Sequence, residues 1–288
     1  MPPPGPSPGR VIVREILCKT ILNRSSLSDY TLNCYTGCAH GCVYCYARFM
    51  QRFHPHPEPW GRFVDVKKNA VDALIRQLRR LSPGEVFVSS ACDGWQPAEA
   101  GYELTRRCCS LLIECGFRLN ILTKSSLVLR DFDIFSESRP SSQGHVRLGV
   151  TITTLDEGLR QVWEPGASST GERLKILKQA RQAGLETSVM FGPLLPFVSD
   201  TQDSLDHLFR CAADLEIGTI WVDALNPRPM VWPAISNLLN ERYPQWRQAY
   251  RALLFNPAAR ADYLSRLRDR VTRSARKYRL LDRLAGCP

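Results

Sequence analysis

Five short runs rich in β-branched residues alternate with amphipathic segments along the middle of this 288-residue chain. The runs predict strands at residues 85–90, 119–124, 146–153, 185–191 and 218–225. Apolar residues recur at helical spacing in segments 70–81, 102–115, 170–183 and 204–215. This alternation predicts parallel strands that are joined by right-handed helical crossovers.

One more strand just before Cys38 brings the expected number of βα units to about six. The predicted fold is therefore α/β, an incomplete (β/α)6 TIM-type barrel, and an open sheet is the competing architecture. In both, ligands gather beyond the carboxyl ends of the strands. Residues just after each strand are therefore the candidates for chemistry.

Composition and charge divide the chain into three parts. Residues 1–10 are rich in proline and glycine and are predicted to be disordered, residues 11–230 to form the partial barrel, and residues 231–288 to form a basic helical extension. Of the formal charge of +10, the segment from Glu241 onward carries +8. We expect Arg266, Arg270, Arg273 and Arg276 to share an outward face. That face either aids solubility alone or follows a phosphate backbone.

The chain has no run of about 18 apolar residues, and its opening MPPPGPSPGR lacks the apolar region of a secretory signal. Its eleven cysteines are unusual for a disulfide framework, because such frameworks belong to short secreted domains. We therefore expect a cytoplasmic protein with free thiols and no membrane partner.

Three cysteines, Cys38, Cys42 and Cys45, lie close together in the segment YTGCAHGCVYCYAR. Thiolates on a short loop with glycines can bind an iron–sulfur cluster or zinc. A structural zinc would need a fourth ligand such as Cys34 or His40, and no second CxxC follows. Three ligands leave one iron of a four-iron cluster open, which suits a cofactor or a substrate.

The CxxxCxxC loop, with an aromatic residue before its third cysteine, resembles that of the radical S-adenosylmethionine (SAM) superfamily. The segments NCYTGCAHGCVYCYAR, VSSACDGWQPAE, LTKSSLVLRD and VTITTLDEGLRQVWEPGASSTGERL are similar to its spore photoproduct lyase-like branch, also called DNA repair photolyase-like. The resemblance covers roughly residues 28–230. It implies a 4Fe–4S cluster on Cys38, Cys42 and Cys45, with S-adenosylmethionine chelated by the open iron.

The same resemblance implies that reduction of the cluster cleaves S-adenosylmethionine to a 5′-deoxyadenosyl radical, which abstracts hydrogen from the substrate. An external electron donor of the flavodoxin or ferredoxin type is then required, and a nucleic acid is one candidate substrate. The alternative function is a zinc-bearing nucleic-acid-binding protein without radical chemistry.

Further cofactor-binding residues follow from the resemblance and from their positions after strands. Tyr44 resembles the aromatic residue that lies against the adenine, and Lys124 the lysine that contacts the cofactor carboxylate. Thr151 and Thr153 alternate along one strand, where their hydroxyls could bond ribose or methionine. Glu164 lies in a segment typical of the branch. A structural role is the alternative for each of these residues.

The segment VSSACDGWQPAE departs from spore photoproduct lyase at one position. The resemblance would place a hydrogen-donating cysteine three residues before Asp93, where this chain has Ser90. Cys92 lies on the same face of an ideal strand as Ser90 and is the candidate radical partner, with a bystander role as the alternative. The departure argues against thymine-dimer repair. Ser90 and Asp93 are candidate cofactor contacts, and Asp93 is equally well explained as a turn residue.

Overall fold

The structure is a computed structural model that describes residues 10–136, 145–226, 228 and 230–288. Apart from Arg10, the segment predicted to be a disordered tail therefore lies outside the described residues. The described part of the chain contains strands β1 (Ile12–Ile16), β2 (Leu22–Arg24), β3 (Tyr30–Leu32), β4 (Tyr35–Thr36), β5 (Phe63–Lys67), β6 (Glu85–Val88), β7 (Arg118–Thr123), β8 (Val146–Thr151), β9 (Glu186–Leu194), β10 (Thr219–Ala224) and β11 (Leu284–Gly286).

Helices connect most of these strands. They are α1 (Ala70–Leu78), α2 (Glu99–Tyr102), α3 (Leu104–Glu114), α4 (Phe132–Ser136), α5 (Glu157–Trp163), α6 (Thr170–Gln182), α7 (Gln202–Asp214), α8 (Val231–Arg242), α9 (Arg247–Phe255) and α10 (Pro257–Lys277), with short 3-10 helices at Tyr46–Arg52, Ser126–Asp131, Pro244–Trp246 and Leu281–Arg283. Among the described residues, none of these helices combines the length and apolar character needed to cross a membrane.

The main sheet has the strand order β2-β3-β6-β7-β8-β9-β10-β11. Its neighbouring strands are parallel, except that β2 runs antiparallel to β3. The α/β class is confirmed, and the sheet is open, with β2 and β11 at its edges. Helix α3 packs on β7 and helix α6 on β8 and β9, so the inter-strand helices cover the sheet.

All five predicted strands and all four predicted inter-strand helices are present, but four strands end earlier than predicted, β6 and β8 by two residues and β7 and β10 by one. Strand β6 ends at Val88 because Ser89 has a φ of 72°, which breaks the extended conformation. Strand β8 ends at Thr151, so Thr153 follows the strand instead of lying within it. Where one strand was predicted just before Cys38, the structure has β3 and β4, and β4 belongs to a second sheet, β1-β5-β4, that was not predicted.

The residues after 230 are mainly helical, and α10 packs on α7 and α9. The apolar side chains of Tyr263, Leu267 and Val271 in α10 are buried. The prediction was wrong for Arg270, which is half-buried with its Nη2 3.2 Å from Asp200 Oδ2. After α10 the chain returns to the main sheet, where β11 pairs in parallel with β10.

Candidate active site

A cavity of about 390 Å³ opens at the carboxyl ends of the parallel strands. Its size falls in the range of small-molecule sites. It is lined by most of the residues selected from the sequence, namely Cys38, Cys42, Tyr44, Cys45, Ser90, Cys92, Asp93, Lys124 and Thr151. Residues that are far apart in the chain therefore meet just beyond the strand ends.

The cysteine loop, residues 37–45, is held by contacts with other segments. Gly41 adopts a φ of 60°, and a Cβ atom added to Gly61 would lie 2.8 Å from the Gly41 Cα, so the two backbones touch at a point where only glycine fits. On another part of the loop, the Gly166 N–H donates to the carbonyl of His40 at 2.9 Å.

Gln96 also holds the cysteine loop, and the sequence analysis missed it. Its Oε1 accepts the N–H of Ala39 at 2.8 Å, and its Nε2 donates to the carbonyl of Gly37 at 3.1 Å. The side chain is fully buried, so both amide bonds are protected from water. The signal was present in the quoted segment VSSACDGWQPAE, but a single glutamine has no spacing pattern that would distinguish it.

All three thiols of the loop are free and lie in a desolvating environment. Burial raises the pKa of Cys38 well above its ordinary value, raises that of Cys42 to about 12 and also raises that of Cys45. A metal binds the thiolate, so occupation of the site requires these thiols to lose protons. Within the described ranges, no three Cys, His, Asp or Glu side chains are grouped to hold a metal ion. A multi-iron cluster does not require ligands that converge on one ion, because each thiolate binds a different iron.

Two buried donors near the thiols support this assignment. Arg48 Nε and Trp60 Nε1 are buried and have no nitrogen or oxygen acceptor among the described residues, and the Trp60 donor lies at the thiol of Cys45. Buried donors are normally paired, and the sulfur atoms of an iron–sulfur cluster accept hydrogen bonds. The cysteine loop and its surroundings therefore fit such a cluster.

Asp93 fixes the end of strand β7. Its Oδ1 accepts the Thr123 hydroxyl at 2.7 Å and the Trp95 N–H at 2.9 Å, and its Oδ2 accepts the Lys124 N–H at 2.7 Å. These bonds give Asp93 the turn role that was considered beside cofactor contact. They also hold the backbone of Lys124, whose Nζ lies 6.0 Å from the ring centre of Tyr44.

Thr153 and Glu164 do not line the cavity but lie behind it, bonded to Tyr44. The hydroxyl of Tyr44 donates to Glu164, and the Thr153 hydroxyl lies 2.9 Å from Glu164 Oε1 and 3.1 Å from the Tyr44 hydroxyl. Glu164 Oε2 pairs with Arg173 Nη2 at 2.5 Å, and both side chains are excluded from solvent. The structure therefore gives Glu164 the salt bridge that was considered beside cofactor binding.

The burial of Glu164 alone would raise its pKa, but Arg173 and Lys124 reverse this effect by electrostatic attraction. Hydrogen bonds from Arg173 and Tyr44 act in the same direction, so the pKa of Glu164 falls below its ordinary value. Glu164 is therefore a carboxylate at neutral pH, and it orients the Tyr44 side chain on the cavity wall.

Ser90 and Cys92 both line the cavity, but not as alternate residues of a strand. The chain leaves β6 at Ser89, so the predicted strand relation between them was wrong. Asn33 holds both: its Nδ2 donates to the Ser90 hydroxyl at 2.8 Å, and its Oδ1 accepts the Cys92 N–H at 3.4 Å. Burial raises the pKa of the Cys92 thiol to about 12, which keeps it protonated at neutral pH.

The wall of the cavity beyond the cysteines includes residues that were not predicted. Asp223, at the end of β10, and the following Arg228 line it with Tyr46. The Arg228 guanidinium lies 5.8 Å from the Tyr46 ring centre and 5.3 Å from that of Phe49. The position of Asp223 and Arg228 at the end of β10 and just after it was the signal that the sequence offered. The residue types of these two side chains alone do not indicate a role.

The geometry defines an α/β protein with an open sheet whose strand ends meet a loop of three free cysteines beside a small-molecule cavity. The sequence of residues 32–208, more than half of the chain, matches the radical SAM superfamily. The chain belongs to this superfamily and is a radical SAM enzyme. The family implies an iron–sulfur cluster and S-adenosylmethionine as cofactors.

Known proteins resemble the chain over most of its length. An uncharacterized protein of Mycobacterium tuberculosis is 32% identical over 286 residues, which cover 94% of this chain and 82% of the relative. The radical SAM Nalpha-GlyT isomerase of Pseudomonas phage M6 is 23% identical over 220 residues, which cover 74% of this chain and 43% of the isomerase.

Among solved structures, a spore photoproduct lyase mutant with bound AdoMet and dinucleoside spore photoproduct superimposes with a TM-score of 0.67. The match has 15% sequence identity and covers 96% of this chain and 81% of that protein. The resemblance to the spore photoproduct lyase-like branch is therefore confirmed at the level of the fold.

Proposed function

We propose that this enzyme binds a 4Fe–4S cluster through Cys38, Cys42 and Cys45 and reductively cleaves S-adenosylmethionine to abstract hydrogen from its substrate. The observation that carries the proposal is the position of these three free thiols on one cavity with Lys124 and Thr151. We also propose that the open sheet is an incomplete (β/α)6 barrel and that the residues after 230 form a basic helical extension of it. A reducing cytoplasm suits its many free thiols, and a flavodoxin or ferredoxin would supply electrons.

When bound, the cluster and S-adenosylmethionine together supply an electron and a 5′-deoxyadenosyl radical. The protein's own groups bind and orient. Lys124 provides a point charge for the cofactor carboxylate, Thr151 a hydroxyl, and the Tyr44 ring an apolar surface for the adenine. Asp93 and the buried Glu164 position these groups, and Ser90 contributes a further hydroxyl to the cavity.

The proposal is tested by anaerobic reconstitution with iron and sulfide, followed by reduction with dithionite in the presence of S-adenosylmethionine. We expect bound iron and sulfide in equal amounts, visible absorption from the cluster and formation of 5′-deoxyadenosine. A protein that binds zinc without iron or sulfide would support the zinc-bearing alternative. A cluster-loaded protein that forms no deoxyadenosine would contradict the enzymatic proposal.

Cys92 is proposed as a radical partner, because its protonated thiol lines the same cavity as the cluster cysteines. With Cys92→Ala, we expect deoxyadenosine formation to continue while the yield of product per deoxyadenosine falls severalfold. Cys109→Ala removes another buried thiol, in α3, that does not line the cavity, and it should leave this yield unchanged. A normal yield from Cys92→Ala would make Cys92 a bystander.

A nucleic acid is the proposed substrate class. The basic residues of α10 support it, as does the solved relative, which holds a dinucleoside. In the structure, Arg273 and Arg276 are exposed on α10, whereas Arg270 is engaged by Asp200. The test of the basic face therefore belongs at Arg273 and Arg276.

Reversing both charges, with Arg273→Glu and Arg276→Glu, should weaken binding of all oligonucleotide sequences alike, because phosphate contacts carry no sequence information. We would measure affinity for single- and double-stranded oligonucleotides at two salt concentrations and expect a smaller salt dependence in the variant. The control reverses Arg79 and Arg80, which are exposed beyond α1. Absence of binding by the wild type at low salt would instead favour a peptide or a small molecule.

A further inference from the structure

The turn at residues 59–62 lies directly against the cysteine loop. Gly61 is so close to Gly41 that no larger residue fits at that position. The turn carries Trp60, which is 6% exposed and whose ring packs edge-on against Phe63 with ring centres 5.9 Å apart. The indole is therefore held in a defined position beside the cysteine loop.

The indole N–H of Trp60 faces sulfur. It is buried, has no nitrogen or oxygen acceptor in the described residues, and lies at the thiol of Cys45. A buried N–H that stays unpaired costs free energy, so the position of this N–H next to a thiol indicates that sulfur is its acceptor.

Arg48, which follows the last cysteine of the motif in the chain, provides a second donor. Its Nη2 donates to the carbonyl of Cys42 at 3.2 Å, which ties the guanidinium to the cysteine loop. Its Nε is buried and has no acceptor within the described ranges.

We propose that Trp60 and Arg48 raise the reduction potential of the cluster by donating to its sulfur atoms. This inference rests on the proposed function. On reduction, one electron from the external donor enters the cluster, and the N–H protons stay on the indole and the guanidinium. The added negative charge strengthens both hydrogen bonds, so the reduced state is stabilised more than the oxidised state. The cluster then accepts electrons from a weaker reductant than it otherwise would.

The test uses Trp60→Phe, which keeps an aromatic ring against Phe63 and removes the donor. We expect the reconstituted variant to hold as much iron and sulfide as the wild type. Its equilibrium constant for reduction should be about tenfold lower, which is a shift of about 59 mV to more negative potential for one electron. The measurement is a redox titration followed through the EPR signal of the reduced cluster.

Arg48→Gln should shift the midpoint in the same direction, because it removes the charge near the sulfurs. Trp232→Phe is the matched control, since Trp232 is a half-buried indole on α8 that does not line the cavity, and its midpoint should not move. Loaded clusters with unchanged midpoints in both Trp60→Phe and Arg48→Gln would overturn this inference alone. A wild-type protein that takes up no iron would overturn the proposed function as well.

A second measurement does not depend on the folding of a variant. In wild-type protein labelled with nitrogen-15 tryptophan, pulsed EPR of the reduced cluster should detect coupling to the indole nitrogen of Trp60. Trp60→Phe should lose that coupling, and Trp163→Phe, which removes another buried indole donor, should retain it. Absence of nitrogen-15 coupling in the loaded wild type would refute direct donation from the indole.

Discussion

Cys42→Ala is expected to abolish cluster binding while the protein stays folded. Two remaining thiolates cannot hold a four-iron cluster against solvent, and alanine leaves the glycine-containing turn of the loop intact. After anaerobic reconstitution we expect the visible absorption, the bound iron and the deoxyadenosine formation to be lost together. Far-UV circular dichroism should remain that of the wild type.

The matched control for this change is Cys115→Ala, which removes an exposed thiol at the end of α3. We expect it to keep both the cluster and the activity. If Cys42→Ala still held a complete cluster and cleaved S-adenosylmethionine, the assignment of Cys38, Cys42 and Cys45 as ligands would be wrong.

Arg173→Met is expected to destabilise the protein by about 3–5 kcal/mol, because it leaves the Glu164 carboxylate buried without its cation. The loss is increased by two backbone carbonyls, those of Thr151 and Ser168, which now accept bonds from the guanidinium at 3.0 and 2.9 Å. Urea unfolding of the anaerobic apo-protein measures the effect. The double change Arg173→Met with Glu164→Gln should recover part of the lost stability, because the buried charge is removed.

Arg181→Met provides the control on the same helix, α6. Arg181 pairs with Glu216 at the surface, where both side chains are about half exposed, and such pairs contribute at most about 1 kcal/mol. An equal loss of stability in both variants would contradict a special role for the buried pair.

The buried pair also sets a direction for the pH dependence of stability. The pKa of Glu164 is lower in the folded protein than its ordinary value, so the folded state favours the carboxylate. Its contribution is complete above the unfolded pKa of about 4.3 and is lost as the pH falls through the folded value.

The sequence predicted the order of the strands and helices because the apolar runs of buried parallel strands and the apolar spacing of amphipathic helices are visible within short segments. The runs at β6 to β10 and the helices α1, α3, α6 and α7 were readable for that reason. The ends of the strands were harder to predict. The φ of 72° at Ser89 ends strand β6, but serine as a residue type does not indicate a positive φ.

The residues of the candidate site were also only partly predictable from the sequence. The cysteines and Lys124 were found through motif and position, and the structure places them on one cavity. Gln96 and Trp60 were missed because their roles come from contacts between segments distant in the chain, which no spacing encodes. Arg270 was assigned to the surface because helical periodicity shows a face but not the Asp200 that reaches it from another element.

The supports of the cysteine loop have a consequence for how the cofactor is acquired. Gln96, Gly61 and Gly166 hold the loop through protein contacts alone, and they belong to segments that meet only when the sheet has assembled. In a zinc finger, by contrast, metal binding supplies the energy of folding. We expect the corresponding contacts to hold the cysteine loop of this chain without the proposed cluster, so that a shortage of iron would leave a folded, inactive protein that can take up a cluster later.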